Sequence, residues 1–255
     1  MIIDANVDQA YRSDQYLQYV NIVDFGSDSS TTEYNFVSDS DSTWVRIPTE
    51  VYYWYVIMPK LVMERPKMGA SVFNRFWRDY LWNVAVTDTS PGNNLHLGNV
   101  LTMASVFWDG ESIVVDTHSD FNAEDCVLVT IWKWVAKTVP FGSPPPNRPN
   151  QPNKIANNHQ GTCSELRMLL VASGRTGLIP LIGTWDYNEN HHWNEFWWDG
   201  AWHPYQVNLG YGDCLIDLPG VAQDMKYGGG KNISIVWNER ADGYQESVID
   251  IFSDL

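Results

Sequence analysis

The stretch that decides the reading is Asn157 to Gly174, NNHQGTCSELRMLLVASG. Leu166, Leu169 and Leu170 recur at three-and-four spacing, which makes one apolar helical stripe, and Gly174 reads as the C-terminal stop. Cys163 therefore stands at or near a helix N-terminus. The partial positive charge of such an end favours a thiolate over a thiol. Its backbone N–H groups can also hold a developing oxyanion. Gly161 suits a tight turn that exposes the thiol. A lone cysteine is more often a buried structural one, so this block needs a partner before it carries a function.

The partner lies in residues 191–208, HHWNEFWWDGAWHPYQVN. Two aromatic-rich runs flank Asp199-Gly200, a two-residue hairpin signal. With the register fixed on that turn, Trp198 faces Ala201, Trp193 faces Gln206 and His191 faces Asn208. Alternation puts His191, Trp193, Glu195 and Trp197 on one face, with Trp202, Pro204 and Gln206 on the same face of the partner strand. Gln206 is then a diagonal neighbour of His191, within side-chain reach. A helix starting at Cys163 and packed on this face would assemble Cys163, His191 and Gln206 as nucleophile, base and orienting group. A neutral Gln206 oxygen can hold the imidazole but stabilises an imidazolium less than a carboxylate does. Gln160 and Asn157 are candidate oxyanion donors. Glu195 either binds substrate or satisfies a buried polar group. Trp193 and Trp197 are candidates to line a substrate cleft. His192 points to the opposite face, and His191-His192 is not a metal pair, because adjacent strand residues diverge and no HExxH pattern follows.

Working outward, residues 116–210 form the unit that bears this chemistry, between an N-terminal extension, 1–115, and a C-terminal β extension, 211–255. Residues 27–43 (SDSSTTEYNFVSDSDST) read as a solvated loop. Trp44 to Met58 suggests strand, interrupted by Pro48. Phe73, Phe76, Trp77, Tyr80, Leu81 and Val84 mark a helical stripe over 70–86. A helix is expected over 123–138, with Asn122 as N-cap, Glu124 and Asp125 in the first turn, and Val127, Ile131, Trp134 and Val135 facing the core. Five prolines in Ser143–Asn153, SPPPNRPNQPN, predict an extended, semi-rigid loop leading into the site, with a peptide-recognition role as the alternative.

The chain has 255 residues, is 44% hydrophobic and carries 13 Trp, 13 Tyr and 9 Phe, enough for a packed core. Most of the tryptophans must be buried; Trp193 and Trp197 are the expected exceptions. Its formal charge of −15, from 31 acidic and 16 basic residues, repels phosphate backbones and argues against a nucleic-acid partner. No run approaches the length needed to span a membrane, so direct membrane insertion is not expected. The three cysteines, Cys126, Cys163 and Cys214, fit neither a disulfide framework nor a CxxC zinc site; a Cys126–Cys214 bridge remains an open alternative. Asp39-Ser40-Asp41 and Glu124-Asp125 lack calcium-loop spacing, and no cofactor is expected. Tyr227-Gly228-Gly229-Gly230-Lys231 fails the phosphate-loop pattern, because Met225 stands where the first Gly is required. It reads as a turn before a strand at Ile233–Trp237. Asn232-Ile233-Ser234 is a glycosylation sequon.

At three blocks the sequence resembles the transglutaminase-like superfamily, whose fold is a papain-like cysteine enzyme core. Gly161-Thr162-Cys163 with its helix looks like the family's nucleophile block. GRTGLIPLIG, Gly174 to Gly183, looks like the strand that follows it. His191-His192-Trp193 with Glu195 looks like the H-x-W-x-E block, which selects His191 over His192 as base. The family's third member is usually an Asp four residues after a Trp; counting from Trp202 gives Gln206, a departure. The resemblance covers about residues 116–210. The stretch from Asn147 to Cys163 and the WHPYQ run resemble archaeal transglutaminase-like proteins, often parts of exported chains. It implies an α+β fold, with a nucleophile-bearing helix packed on an antiparallel sheet. It implies acyl transfer through Cys163 on a protein or peptide substrate, more often hydrolytic than cross-linking to amines, and an extracellular or cell-surface setting. A degenerate module that binds peptides or glycans without turnover is the alternative from a different class.

Overall fold

Asp199 and Gly200 both take positive φ, 38° and 88°, the twist that a two-residue hairpin requires. In this computed structural model they join β6 (His191–Trp198) to β7 (Ala201–Val207). The register is the expected one: Trp198 pairs with Ala201, Trp197 with Trp202 and Asn194 with Tyr205. The structure describes residues 17–24, 30–37, 44–61, 64, 69–84, 96–104, 106–108, 110, 113–116, 119–186, 191–207, 214–216, 234–239 and 245–250. Backbone alone is described at 17–24, 30–37, 44–45, 113, 115, 185–186, 191, 206–207, 214–215, 234–239 and 245–250. The phosphate-loop and sequon positions 227–233, the Asp39–Asp41 cluster and Asn208 lie outside the described residues.

β5 (Leu181–Asp186) pairs antiparallel with the other edge of β6. Beyond β7 come β8 (Cys214–Ile216) and β4 (Ile113–Val115), and beyond β5 come β9 (Ser234–Glu239) and β10 (Gln245–Asp250). The result is a seven-stranded antiparallel sheet, ordered β10-β9-β5-β6-β7-β8-β4. A three-stranded antiparallel sheet is built from β1 (Leu17–Asp24), β2 (Ser30–Val37) and β3 (Trp44–Ile47). The expected loop at 27–43 is therefore a strand over 30–37. Thr, Tyr, Phe and Val there favour extended backbone and outweigh the serines and aspartates that suggested a loop.

Two helices fill the core against the large sheet. In α4 (Val127–Thr138), Val127, Leu128, Ile131, Trp132, Trp134 and Val135 are all 1% exposed or less. It is thus apolar around most of its circumference, as a central helix must be. It starts later than expected, because Asn122–Asp125 folds into its own turn. The Asn122 N–H donates to Asp125 Oδ2 at 2.9 Å, and that oxygen accepts from Lys133 at 2.7 Å.

α6 (Cys163–Thr176) begins at the cysteine, as expected, but runs through Gly174. That glycine is a packing device and not a stop. A Cβ there would lie 2.1 Å from Leu181 Cδ1, so only a glycine lets the helix lie this close to β5.

Prolines account for two further differences. Pro48 ends β3 and leads into α1 (Thr49–Tyr52) and a π-helical turn, Tyr53–Ile57, so the strand reading of 44–58 holds only to Ile47. Pro152 opens α5 (Pro152–Asn158), where its missing N–H costs nothing at the first helical position. The proline-rich loop therefore stops at Gln151. The stripe at 70–86 is cut by left-handed Phe73 and Asn74 (φ 60° and 54°), leaving a 3-10 turn, Ala70–Val72, and then α2 (Trp77–Asn83). A short α3 (Leu97–Leu101) precedes β4. One hydrophobic core runs through these elements from Ile47 to Ile216.

Candidate active site

Thr162 caps α6 through a reciprocal box with Glu165. The Thr162 N–H donates to Glu165 Oε2 at 3.0 Å, and the Thr162 hydroxyl contacts the same oxygen at 2.9 Å. Glu165 is 3% exposed, and its other oxygen accepts from Arg148 Nε at 2.6 Å. Arg148 also reaches Thr162 Oγ1 at 3.3 Å. The first turn of the helix, with Cys163 as its first residue, is therefore held by an acid and a base from different segments. Gly161 serves the same turn by its lack of a side chain: a Cβ there would lie 2.8 Å from Glu165 Cβ and 2.9 Å from Val139 Cγ1. Close approach, not positive φ, requires the glycine.

The Cys163 thiol is free and half-buried. Cys126 is buried at the start of α4, and the side chain of Cys214, its alternative partner, lies outside the described residues. His159, four residues before Cys163, takes φ 50° and places Nδ1 2.8 Å from the Thr138 carbonyl, joining the end of α5 to the end of α4. Asn157 is exposed on α5, and Gln160 is half-buried in the turn that leads to the cysteine.

The level of His191 follows from how α6 crosses the hairpin. The buried Asn194 amide donates to the Arg167 carbonyl at 3.1 Å and to the Ile182 carbonyl at 3.2 Å. A Cβ on Gly183 would meet the Arg167 side chain at 3.0 Å, and Gly174 meets Leu181. Helix positions 174 and 167 thus lie beside strand positions 181 and 183. Cys163 is four residues beyond Arg167, about 6 Å along the helix, and two strand residues cover about the same length. Carried on past Arg167, the helix runs toward the end of the sheet where Trp185 pairs with His192 and Asp186 with His191. Both histidines begin β6 at the end where the helix begins.

The face differs from expectation. Asn194 meets α6. Phe196, on the same side of β6, is fully buried against Phe107, Trp108 and Tyr205. Tyr205 hydroxyl donates to the Leu128 carbonyl of α4. The helices therefore cover the face of Asn194 and Phe196, not the tryptophan face as expected. The buried amide, with two carbonyls to satisfy it, and the large apolar ring decide which side turns inward. His192 is in phase with Asn194. At His191 and Gln206 only the backbone is described.

On the reverse side of β6 Trp193 is 9% exposed, and its Nε1–H donates to Glu195 Oε1 at 3.2 Å. Trp193 is thus not the exposed exception expected of it. Trp197 packs edge-on to Trp202, which meets Tyr55 in the same manner. Trp197 and Glu195 are half-buried.

Sequence reasoning missed two contributors. The capping box was legible as Thr162-x-x-Glu165, but nothing in the sequence joins Arg148 to Glu165. At the far end of α6, fully buried Arg78 donates to the Arg175 carbonyl at 2.7 Å and to the Val56 carbonyl. Burial, with Arg175 adding repulsion, lowers the Arg78 guanidinium to about 9. Burial likewise lowers Arg175 to about 10; Arg175 donates to the carbonyls of Met58 and Lys60 at 3.5 and 3.3 Å. Among the described residues, no three or more His, Cys, Asp or Glu gather as metal ligands, and no helix is long and apolar enough to cross a membrane.

Residues 112–207 match the family model of the transglutaminase-like superfamily. The match runs from β4 through α4, α5 and α6 to the end of the β6–β7 hairpin. The α+β arrangement is the expected one, with the helix that begins at Cys163 packed on an antiparallel sheet. No curated protein and no solved structure matches the chain.

Proposed function

We propose that residues 112–207, which match the transglutaminase-like superfamily, form a cysteine enzyme of papain-like type that cleaves amide bonds through an acyl-enzyme on Cys163. The observation that carries the reading is the half-buried free thiol at the first residue of a capped helix, whose start points to the end of the sheet where β6 begins. The thiol gives its proton to one of the two histidines that open β6, His191 by the H-x-W-x-E spacing, and the sulfur attacks the amide carbonyl carbon. The tetrahedral oxyanion is met by N–H groups of the helix start, with Gln160 or Asn157 as a further donor. As the C–N bond breaks, the imidazolium protonates the leaving amine. Water, deprotonated by the same imidazole, then cleaves the thioester and restores the thiol. Gln206 orients the ring. Water as acceptor makes the reaction hydrolysis, the leading reading, and an amine makes it cross-linking. The substrate is a protein or peptide, and the acidic chain suits an extracellular or surface setting.

A second reading concerns the base. His192 is half-buried and in phase with Asn194, the residue that touches α6, whereas the H-x-W-x-E spacing selects His191. Iodoacetamide alkylation of Cys163, followed from pH 5 to 9 by mass spectrometry, separates the two. The reference is an unstructured cysteine peptide, since burial alone shields Cys126. We expect Cys163 to react faster than the peptide below pH 7, and His191→Ala to remove that advantage. Loss with His192→Ala alone assigns the base to His192. A Cys163 no faster than the peptide in the parent protein refutes the enzyme reading and leaves a binding module.

A further inference from the structure

Beside the nucleophile turn lies a cleft of about 580 Å³, within the range of small-ligand sites, whose lining includes Phe73, Asn147, Arg148, Asn150, Lys154 and Asn158. Among the described residues two cations line it and no carboxylate does, in a chain with about twice as many acids as bases, 31 against 16. A local reversal of sign on an acidic surface selects for an anionic group. We propose that this cleft is a subsite for an acidic side chain of the peptide substrate, an Asp or Glu close to the amide that Cys163 attacks. The proposal deepens the cysteine-enzyme reading and rests on it for the word substrate.

Three features support it. Arg148 joins the cleft to the site directly, since its guanidinium bonds Glu165 and reaches Thr162, the residue before Cys163. An occupant beside Arg148 is therefore one side chain away from the nucleophile turn. Lys154 forms no ion pair among the described residues, so its charge is available to a ligand, whereas that of Arg148 is shared with Glu165. The walls are also fixed before any ligand arrives. Buried Asn153 donates from Nδ2 to the Val72 and Arg75 carbonyls at 2.9 and 3.2 Å, tying α5 to the 70–75 turn. Phe73 and Asn74 on one lip, and Asn147 and Arg148 (φ 64° and 36°) on the other, hold left-handed backbone that non-glycine residues rarely adopt. Phe73, 40% exposed, stacks on Tyr80 with ring centroids 5.0 Å apart and offers an apolar floor for the stem of an acidic residue.

The test uses the Cys163→Ala chain, in which turnover cannot obscure binding. Two fluorescein-labelled hexapeptides are compared by anisotropy, one with glutamates flanking a central glutamine, the other with glutamines throughout. Two partly exposed ion pairs predict a preference for the acidic peptide of roughly 5- to 10-fold, shrinking in high salt. Lys154→Glu should abolish the preference, with an unchanged melting temperature to show that the variant folds. Equal affinity for the two peptides, a preference that survives Lys154→Glu, or binding of a neutral oligosaccharide in place of either peptide overturns the proposal. If the preference is present but the parent protein cleaves neither peptide nor shows a reactive Cys163, the subsite stands as a binding site and the enzyme reading fails by itself.

Discussion

Replacing Glu165 tests what positions the nucleophile. In Glu165→Ala the Thr162 N–H loses its acceptor, a capping loss of about 1 kcal/mol. Arg148 loses a charge-assisted bond at 2.6 Å; its side chain is 52% exposed, so solvent screening reduces that loss to about 1 kcal/mol. Removing one buried methylene beside Gly161 adds about 0.8 kcal/mol. Together the change should cost about 3 kcal/mol. Glu165→Gln keeps the stem and one acceptor oxygen and loses only the charge, so it should cost about 1 kcal/mol. Urea unfolding followed by tryptophan fluorescence measures both. Amide exchange at Leu166, whose N–H donates to the Thr162 carbonyl at 3.0 Å, reports the first turn directly and should speed up in Glu165→Ala before global unfolding does. If the two variants are equally destabilised, or if exchange at Leu166 is unchanged, the carboxylate does not hold the helix start and the positioning argument is wrong.

Two other outcomes follow from the same framework. Gly174→Ala gains about 1 kcal/mol of helix propensity but drives a Cβ to 2.1 Å from Leu181, and overpacking of about 1–3 kcal/mol wins. A lower urea midpoint, partly restored by adding Leu181→Val, is expected, and a raised midpoint for the single variant would refute the close-packing reading. Burial raises the Glu64 carboxyl above its ordinary value of 4.5, against bonds to Leu61 and Trp77 and the charge of Arg175 that pull it down. The native state thus holds this proton more tightly than the unfolded chain. The resulting stability is complete below the unfolded value and lost as pH rises through the folded one. Glu64→Gln, which keeps an oxygen for the Leu61 N–H, should therefore melt higher than the parent at pH 7, with the gap closing below pH 4; a lower melting point at pH 7 contradicts the sign.

What the sequence made legible was what depends on neighbours along the chain. The α6 stripe, the α4 apolar run and the Asp199-Gly200 turn with its register each follow from spacing within a few residues, and each is found. The failures share a different cause. Gly174 was read by the local rule that glycine ends helices, whereas its role is set by Leu181 arriving from the next element. The helix was expected on the face of β6 that carries His191, to assemble the triad, but burial is decided by which row finds partners. Asn194 has two carbonyls to satisfy it and Phe196 has three aromatic neighbours. The tryptophans Trp197 and Trp202 instead pack on each other. Arg148 could not be joined to the site from sequence, since only the fold of the proline-rich segment brings it to Glu165.

The site's precision comes from the way α6 is pinned at three levels by polar groups from other segments. Arg148 acts on Glu165 in its first turn, the Asn194 amide bonds the Arg167 carbonyl near its middle, and Arg78 bonds the Arg175 carbonyl at its last turn. The last is a cation placed against helix-end carbonyls, where the macrodipole favours it. Apolar packing alone would allow the helix to slide or rotate slightly at little cost, because dispersion has no direction. Each of these bonds instead fixes a main-chain or side-chain oxygen to within a few tenths of an ångström, and a shift of one residue would orphan all three. Burying these two cations is costly, as the lowered values of Arg78 and Arg175 indicate. Retaining them at the far end of the nucleophile's helix makes sense if position, rather than stability, is what they secure. On that view Arg78→Met need not unfold the protein, but it should release α6 at the end opposite Cys163, and the reactivity of the thiol should change although no atom near it has been altered.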